Sequence, residues 1–150
     1  MSVNITLAKE MAHLTCDLAR TCSEKENHFA SMFNLTPAEF RCLRLFEETR
    51  SISVKELGKL MDLTPGRITH IITSLEAKNF VIRSNDPKDK RNIIVTITNK
   101  SLPFIKNVTD SHVHIHKEIL EKIAPDKRQY VISAMGEVLK ALQEWNESTK

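Results

Sequence analysis

Apolar residues recur at three- and four-residue intervals along most of this chain, and the longest run of β-branched residues spans residues 93–98. The helical spacing is clearest after Ser53. Ser53-Val54-Lys55-Glu56 forms a capping-box pattern, in which the Ser53 hydroxyl accepts from the Glu56 amide and the Glu56 carboxylate reaches back. Val54, Leu57, Leu60 and Met61 give that helix its apolar positions, and Gly58 suits a close helix crossing. Asp62 falls at the turn, where Asp tolerates a left-handed backbone, and Leu63 is expected to return to the core. Thr64-Pro65 predicts an N-cap followed by proline at the first helical position. In this second helix Ile68, Ile71, Ile72 and Leu75 form the inward stripe. Arg67, Thr69, His70, Thr73 and Ser74 are left on or near the outward side. Phe80-Val81-Ile82-Arg83 then reads as a strand, residues 85–92 as a polar loop, and Ile93-Ile94-Val95-Thr96-Ile97 as a second strand. Helix, turn, helix and basic hairpin together predict a winged helix-turn-helix over residues 35–98.

The flanking segments are helical too, so the chain is mainly α with a small β-hairpin wing. Residues 5–32 carry Ile5, Ala8, Met11, Ala12, Thr15, Leu18, Ala19 and Cys22 on one stripe, which weakens after Glu24 and recovers at Phe29, Met32 and Phe33. Thr36-Pro37-Ala38-Glu39 is a second capping box, ahead of Phe40, Cys42, Leu43, Leu45 and Phe46. Ile52 suits a short strand against the wing. Thr98 is expected to cap the next helix. Pro103 requires that helix either to start near Ser101 or to kink. Ile105, Val108, His112, Ile115 and Ile119 form a heptad-like seam, repeated as Val131, Met135, Val138, Leu142 and Trp145 after Pro125-Asp126. These narrow stripes, in residues 1–34 and 99–150, suit dimerisation; an intramolecular bundle is the alternative.

Composition narrows the function. With 150 residues, 41% apolar and 27% charged, the chain fits one globular domain with its own core. The net charge of +3 is unevenly spread: residues 51–100 hold nine basic and five acidic side chains, against six and seven before and seven and seven after. The positive excess coincides with the helix-turn-helix and wing, as phosphate contact requires. Only three glycines are present, with no phosphate-cradling loop and no strand-loop arrangement that would present a nucleophile, which argues against an enzyme. No cofactor is expected. No apolar run could span a bilayer and the N-terminus lacks a secretory pattern, so the expected compartment is the cytoplasm. Three cysteines without Cys-x-x-Cys make a disulfide framework unexpected.

Several segments in combination resemble the MarR family of bacterial transcriptional regulators. They are Leu35-Thr36-Pro37-Ala38-Glu39-Phe40, Lys55-Glu56-Leu57-Gly58, Leu75-Glu76-Ala77-Lys78-Asn79-Phe80-Val81, and above all Asp86-Pro87-Lys88-Asp89-Lys90-Arg91 leading into Val95-Thr96-Ile97-Thr98. The family wing carries Asp-x-Arg, matched here by Asp89 and Arg91. The resemblance implies a homodimeric regulator, a repressor rather than an activator, that reads a pseudo-palindromic operator in double-stranded DNA. Arg67, Thr69 and His70 are then the expected base-edge contacts, because Arg can bond guanine in pairs and Thr can touch a thymine methyl. Ser53 and Thr64, at helix starts, are expected to hold phosphates. Arg91 is expected in the minor groove, oriented by Asp89, with Lys88 and Lys90 on phosphates. Many relatives release DNA when a small aromatic or anionic effector binds between dimer arms and winged domain.

The resemblance also raises metal and redox variants of the same regulator. Some relatives sense peroxide through a low-pKa cysteine on the first helix, where Cys16 and Cys22 lie here; the plainer reading is a small buried thiol. Some respond to zinc through histidines on the helix that here carries His112 and His116, with Cys22, His28 and Glu39 as conceivable partners. The plainer reading again is that these histidines are packed or solvated, and no metal ligand is assigned. A further alternative is a winged-helix interaction module without specific DNA binding.

Overall fold

Four helix starts in this chain are set by side chains that accept a backbone amide, and three helix stops by residues that tolerate a left-handed turn. The computed structural model describes residues 2–150. Its helices are α1 (Ile5–Met32), α2 (Pro37–Arg44), α3 (Val54–Met61), α4 (Pro65–Ala77), α5 (Leu102–Glu121) and α6 (Arg128–Ser148). Its strands are β1 (Ser51–Ser53), β2 (Val81–Asn85) and β3 (Ile93–Ile97). Asn4, Thr36, Ser53 and Thr64 each cap the helix that follows by accepting an amide. The Thr36–Glu39 box is complete, at 3.1 Å and 3.3 Å. At Ser53 only half of the predicted box forms. Its hydroxyl accepts from the Glu56 amide at 3.1 Å, but its own backbone pairs with Ile94 in the sheet and the reciprocal bond is not made.

Three helices stop in the same way. Asn34, Asp62 and Asn79 adopt φ of 54°, 52° and 64°. Directly after them, the Leu35, Leu63 and Phe80 amides donate to Ala30, Gly58 and Leu75 carbonyls, each at 3.0 Å. This six-to-one closure is a Schellman turn with Asn or Asp where glycine is commonest. It folds the next apolar side chain back: Leu35 is buried, and Leu63 and Phe80 are half-buried.

The structure divides into two compact units, one ending at Thr109 and one starting at Asp110. The first holds the buried core. Phe29, Phe40, Leu43, Leu57, Ile68, Ile72, Leu75, Val81 and Val95 are all at most 2% exposed. Aromatic rings tie the elements together: Phe29 meets Phe33 and Phe40 at 5.1 Å, and Phe104 meets Phe33 at 5.9 Å and Phe80 at 4.6 Å. The antiparallel sheet has the order β1-β3-β2, with Ile52 opposite Val95 and Arg83 opposite Val95 from the other side. The expected strand at Ile52 therefore forms and makes β3 central. Leu60 departs from its expected place: it is 54% exposed although its neighbour Leu57 is fully buried. With one turn between them, the eight-residue α3 presents only a single narrow face to α4.

Pro103 is resolved by a late helix start. Asn99–Ser101 form a 3-10 turn and α5 begins at Leu102, so the proline sits in the first turn, where its missing amide costs nothing. Thr98 flanks that turn but does not cap it; its hydroxyl donates to the Asn79 carbonyl at 2.8 Å.

In the second unit, Arg128 at the start of α6 reaches back to the end of α5. Its guanidinium donates to the Leu120 and Ile123 carbonyls at 2.9 Å and 3.0 Å, closing the end of α5. α6 has no buried residue; Val131 and Val138 are half-buried, while Met135, Leu142 and Trp145 are exposed.

Candidate nucleic-acid interface

The helix at the centre of the site is held from behind and bare in front. On α4, Ile68, Ile71, Ile72 and Leu75 are at most 8% exposed, whereas Arg67, Thr69, His70 and Thr73 face solvent. Thr64 caps the helix through a long contact, 3.4 Å to the Arg67 amide. The Thr69 hydroxyl donates to the Pro65 carbonyl at 2.8 Å, and that of Thr73 to Thr69 at 2.9 Å. Their protons are therefore committed, which leaves oxygen lone pairs and methyl groups for a partner. Ser74 differs from its sequence-based placement on the outward side. It is half-buried and donates to Glu39 Oε1 at 2.6 Å.

Glu39 anchors α4 to the rest of the domain. It is 3% exposed and accepts from the Thr36 amide, the Ser74 hydroxyl and, at 2.7 Å, Lys78 Nζ. Lys78 also donates to the Asn34 carbonyl at 2.9 Å, so one ammonium ties the end of α1 to α2 and α4. Burial pushes the Glu39 carboxyl up, but bonds from Lys78, Ser74 and Thr36 together outweigh it and hold the group below its ordinary value near 4.5. Glu39 is thereby saturated, which removes it as the metal partner conceived from the sequence. At the other end of α4, Glu76 accepts from Arg83 Nη2 at 2.9 Å and from the Arg83 amide at 3.2 Å, fixing the wing's first strand. The Arg83 guanidinium lowers the Glu76 carboxyl.

The wing tip is ordered by two Asp side chains. Asp86 Oδ1 accepts from the Lys88 amide at 2.9 Å, and Asp89 Oδ1 from the Arg91 amide at 3.0 Å. Asp86 Oδ2 also accepts from the Asn92 side chain at 3.3 Å, and the Asp86 amide donates to the Asn92 carbonyl at 2.9 Å. Asp89 thus positions Arg91 through the backbone rather than by an ion pair with its guanidinium. Lys88, Lys90 and Arg91 project from this clasp into solvent. From the sequence Asp86 is expected only to form a turn with Pro87, and its clasp to Asn92 is missed; an Asn six residues after the Asp is the signal that would have found it.

The alternative chemistry finds less support. Cys42 is buried and its thiol is pushed up to about 12 by desolvation, so it carries no thiolate at neutral pH. Cys16 and Cys22 are exposed in the isolated chain, unlike the buried thiols expected of structural cysteines. His112 and His116 stack edge-on at 4.5 Å, and His116 Nδ1 bonds the His112 carbonyl at 2.8 Å. Among the described residues no group of three or more His, Cys, Asp or Glu side chains is arranged to hold a metal ion. No described helix is long and apolar enough to cross a membrane.

Comparison with known proteins agrees with this geometry. The family model described as MarR family matches residues 35–93. The chain is 25% identical over 125 residues to the HTH-type transcriptional regulator SarZ of Staphylococcus aureus, covering 82% of this chain and 84% of SarZ. It is also 25% identical over 113 residues to the uncharacterized HTH-type transcriptional regulator YkoM of Bacillus subtilis, covering 75% and 73%. Its fold is similar to that of a mutant E. coli MarR solved in complex with operator DNA, with a TM-score of 0.73, 21% identity, and 92% and 99% of the two chains covered.

Proposed function

We propose that this chain, whose residues 35–93 match the MarR family model, is a regulator of that family, a homodimeric repressor that reads a pseudo-palindromic operator in double-stranded DNA. The observation that carries the reading is the division of α4 into a buried aliphatic face and an open polar one, beside a basic hairpin braced by Asp86 and Asp89. Arg67, Thr69 and His70 contact base edges in the major groove. Ser53 and Thr64 lie at the starts of α3 and α4, where amides and hydroxyls suit phosphate oxygens. Arg91 enters the adjacent minor groove, and Lys88 and Lys90 meet phosphates.

A second copy accounts for the apolar residues that the single chain leaves bare. α1 exposes Leu7, Leu14 and Leu18 by 60%, 62% and 53%, and α6 exposes Met135 and Trp145 by 55% and 64%. Leucine and tryptophan at such spacing on long helices gain most by burial against another helix. A small aromatic or anionic effector would relieve repression by binding the DNA-incompetent arrangement of the dimer more tightly than the competent one.

Arg67→Ala tests the placement of the recognition helix. Loss of a paired guanine contact costs about 1–3 kcal/mol and relaxes the preference at one position of each half-site. Lys90→Ala instead weakens all sequences alike, and its log affinity falls less steeply with log salt, by about 0.9. Gel-shift titrations with matched and mismatched duplexes measure both. Unchanged affinity and preference in Arg67→Ala would remove α4 from the major groove.

A further inference from the structure

A trough runs between α3 and the wing, and of the residues that line it only Ser53, Asp89 and Arg91 have a part in the assignments above. It has a volume of about 710 Å³, and α3, the start of α4 and the tip of the hairpin line it. Three cations edge it: Lys55 and Lys59 from α3 and Arg91 from the wing. Lys55 and Lys59 are exposed, and neither has a partner among the described residues. Asp62 and Asp89 share the trough, but an oxygen of Asp89 is engaged by the Arg91 amide, and the cations outnumber the carboxylates.

We infer that this trough seats the sugar-phosphate strand lying between the two grooves that the protein reads, with Lys55 and Lys59 as its unassigned phosphate contacts. The inference rests on the DNA-reading proposal above. A recognition helix in a major groove and a wing in the adjacent minor groove must have one backbone strand between them, because the grooves share that wall. Pro65 and Ile68 of α4, Lys55 and Lys59 of α3, and Arg91 and Asn92 of the wing all line the trough. A strand seated in it therefore passes over α3. Lys55 and Lys59 are four residues apart, one helical turn, so both ammonium groups lie along that path. Ammonium groups serve here as point charges that displace counterions and carry no sequence information.

The test is the salt dependence of binding by Lys55→Ala, Lys59→Ala and the double variant, on the preferred duplex and on a scrambled one. Each single variant is expected to reduce the slope of log affinity against log salt by about 0.9, and the double variant by about 1.8, with the ratio between duplexes unchanged. Neutralising individual phosphates as methylphosphonates supplies an independent readout. The wild type loses affinity at the phosphates of the shared wall, and the double variant is indifferent to the same replacement. Retained sequence discrimination with an unchanged slope, or no phosphate whose neutralisation the double variant ignores, overturns this inference alone. A wild type without sequence discrimination overturns the DNA-reading proposal and this inference with it.

Discussion

Single residues decide where the helices of this protein end. Asp62 at the turn was legible, because a polar residue with a local side-chain acceptor sat between two apolar-periodic runs. Asn34 and Asn79 were not: each lies in an ordinary polar stretch, and only the backbone reveals the shared φ near 54–64°. The left-handed conformation costs an ordinary residue about 1–2 kcal/mol, and Asn less. Asn79→Gly should therefore leave thermal stability unchanged or slightly raised, while Asn79→Val should lower it by about 1–2 kcal/mol in denaturant unfolding. Equal stability of the two variants would mean that the turn is not under backbone strain. The same reasoning explains Thr98, whose sequence context promised a cap. A hydroxyl beside the Asn79 carbonyl at 2.8 Å closes the turn after α4 instead.

At the scale of elements, the Glu39–Lys78 pair ties α4 to α1 and α2 in addition to the buried aliphatic face of the helix. Both halves were visible in the sequence, but they are 39 positions apart, and a pairing at that distance has no periodic signature. Lys78→Met removes one charge-assisted bond from a buried carboxylate and should cost about 1.5–3 kcal/mol at neutral pH. Protonation makes the same point from the other partner. The folded Glu39 carboxyl is held below its ordinary value near 4.5, so its contribution to stability is complete above that pH. The contribution disappears as pH falls through the lowered folded value. The stability difference between the wild type and Glu39→Gln should accordingly shrink as pH drops below 4.5, followed by urea unfolding across acid pH. A difference that grows on acidification would contradict the assignment. The wing shows the complementary case: both strands were legible from β-branched runs, whereas the clasp by Asp86 and Asn92 depends on a loop conformation that composition does not encode.

For the whole molecule, the order of elements was almost fully legible, because amphipathic stripes, caps and β-branched runs each carry their own local signal. What α1 and α6 pack against was less legible: their stripes suited a second copy or an intramolecular bundle equally by spacing alone. Their leucines and Trp145 are exposed in the chain as it stands. If a second copy covers them, Met135→Glu with Leu142→Glu should shift sedimentation from dimer to monomer. Both side chains are exposed, so the secondary structure of the chain should survive. The monomeric variant should lose the tight operator complex, since each half-site then binds without the other's contribution to effective concentration. A variant that stays dimeric would place the interface elsewhere.

The central claim is that paired copies lay two α4 helices into successive major grooves on one face of a duplex. Selection of bound sequences from a random duplex pool tests it most directly. The account predicts an inverted repeat whose half-site centres lie about one duplex turn apart, roughly 34 Å. It also predicts that the Arg67→Ala protein recovers the same spacing with one position degenerate in each half. Recovery of no preferred sequence, or of a single unrepeated site, would contradict it.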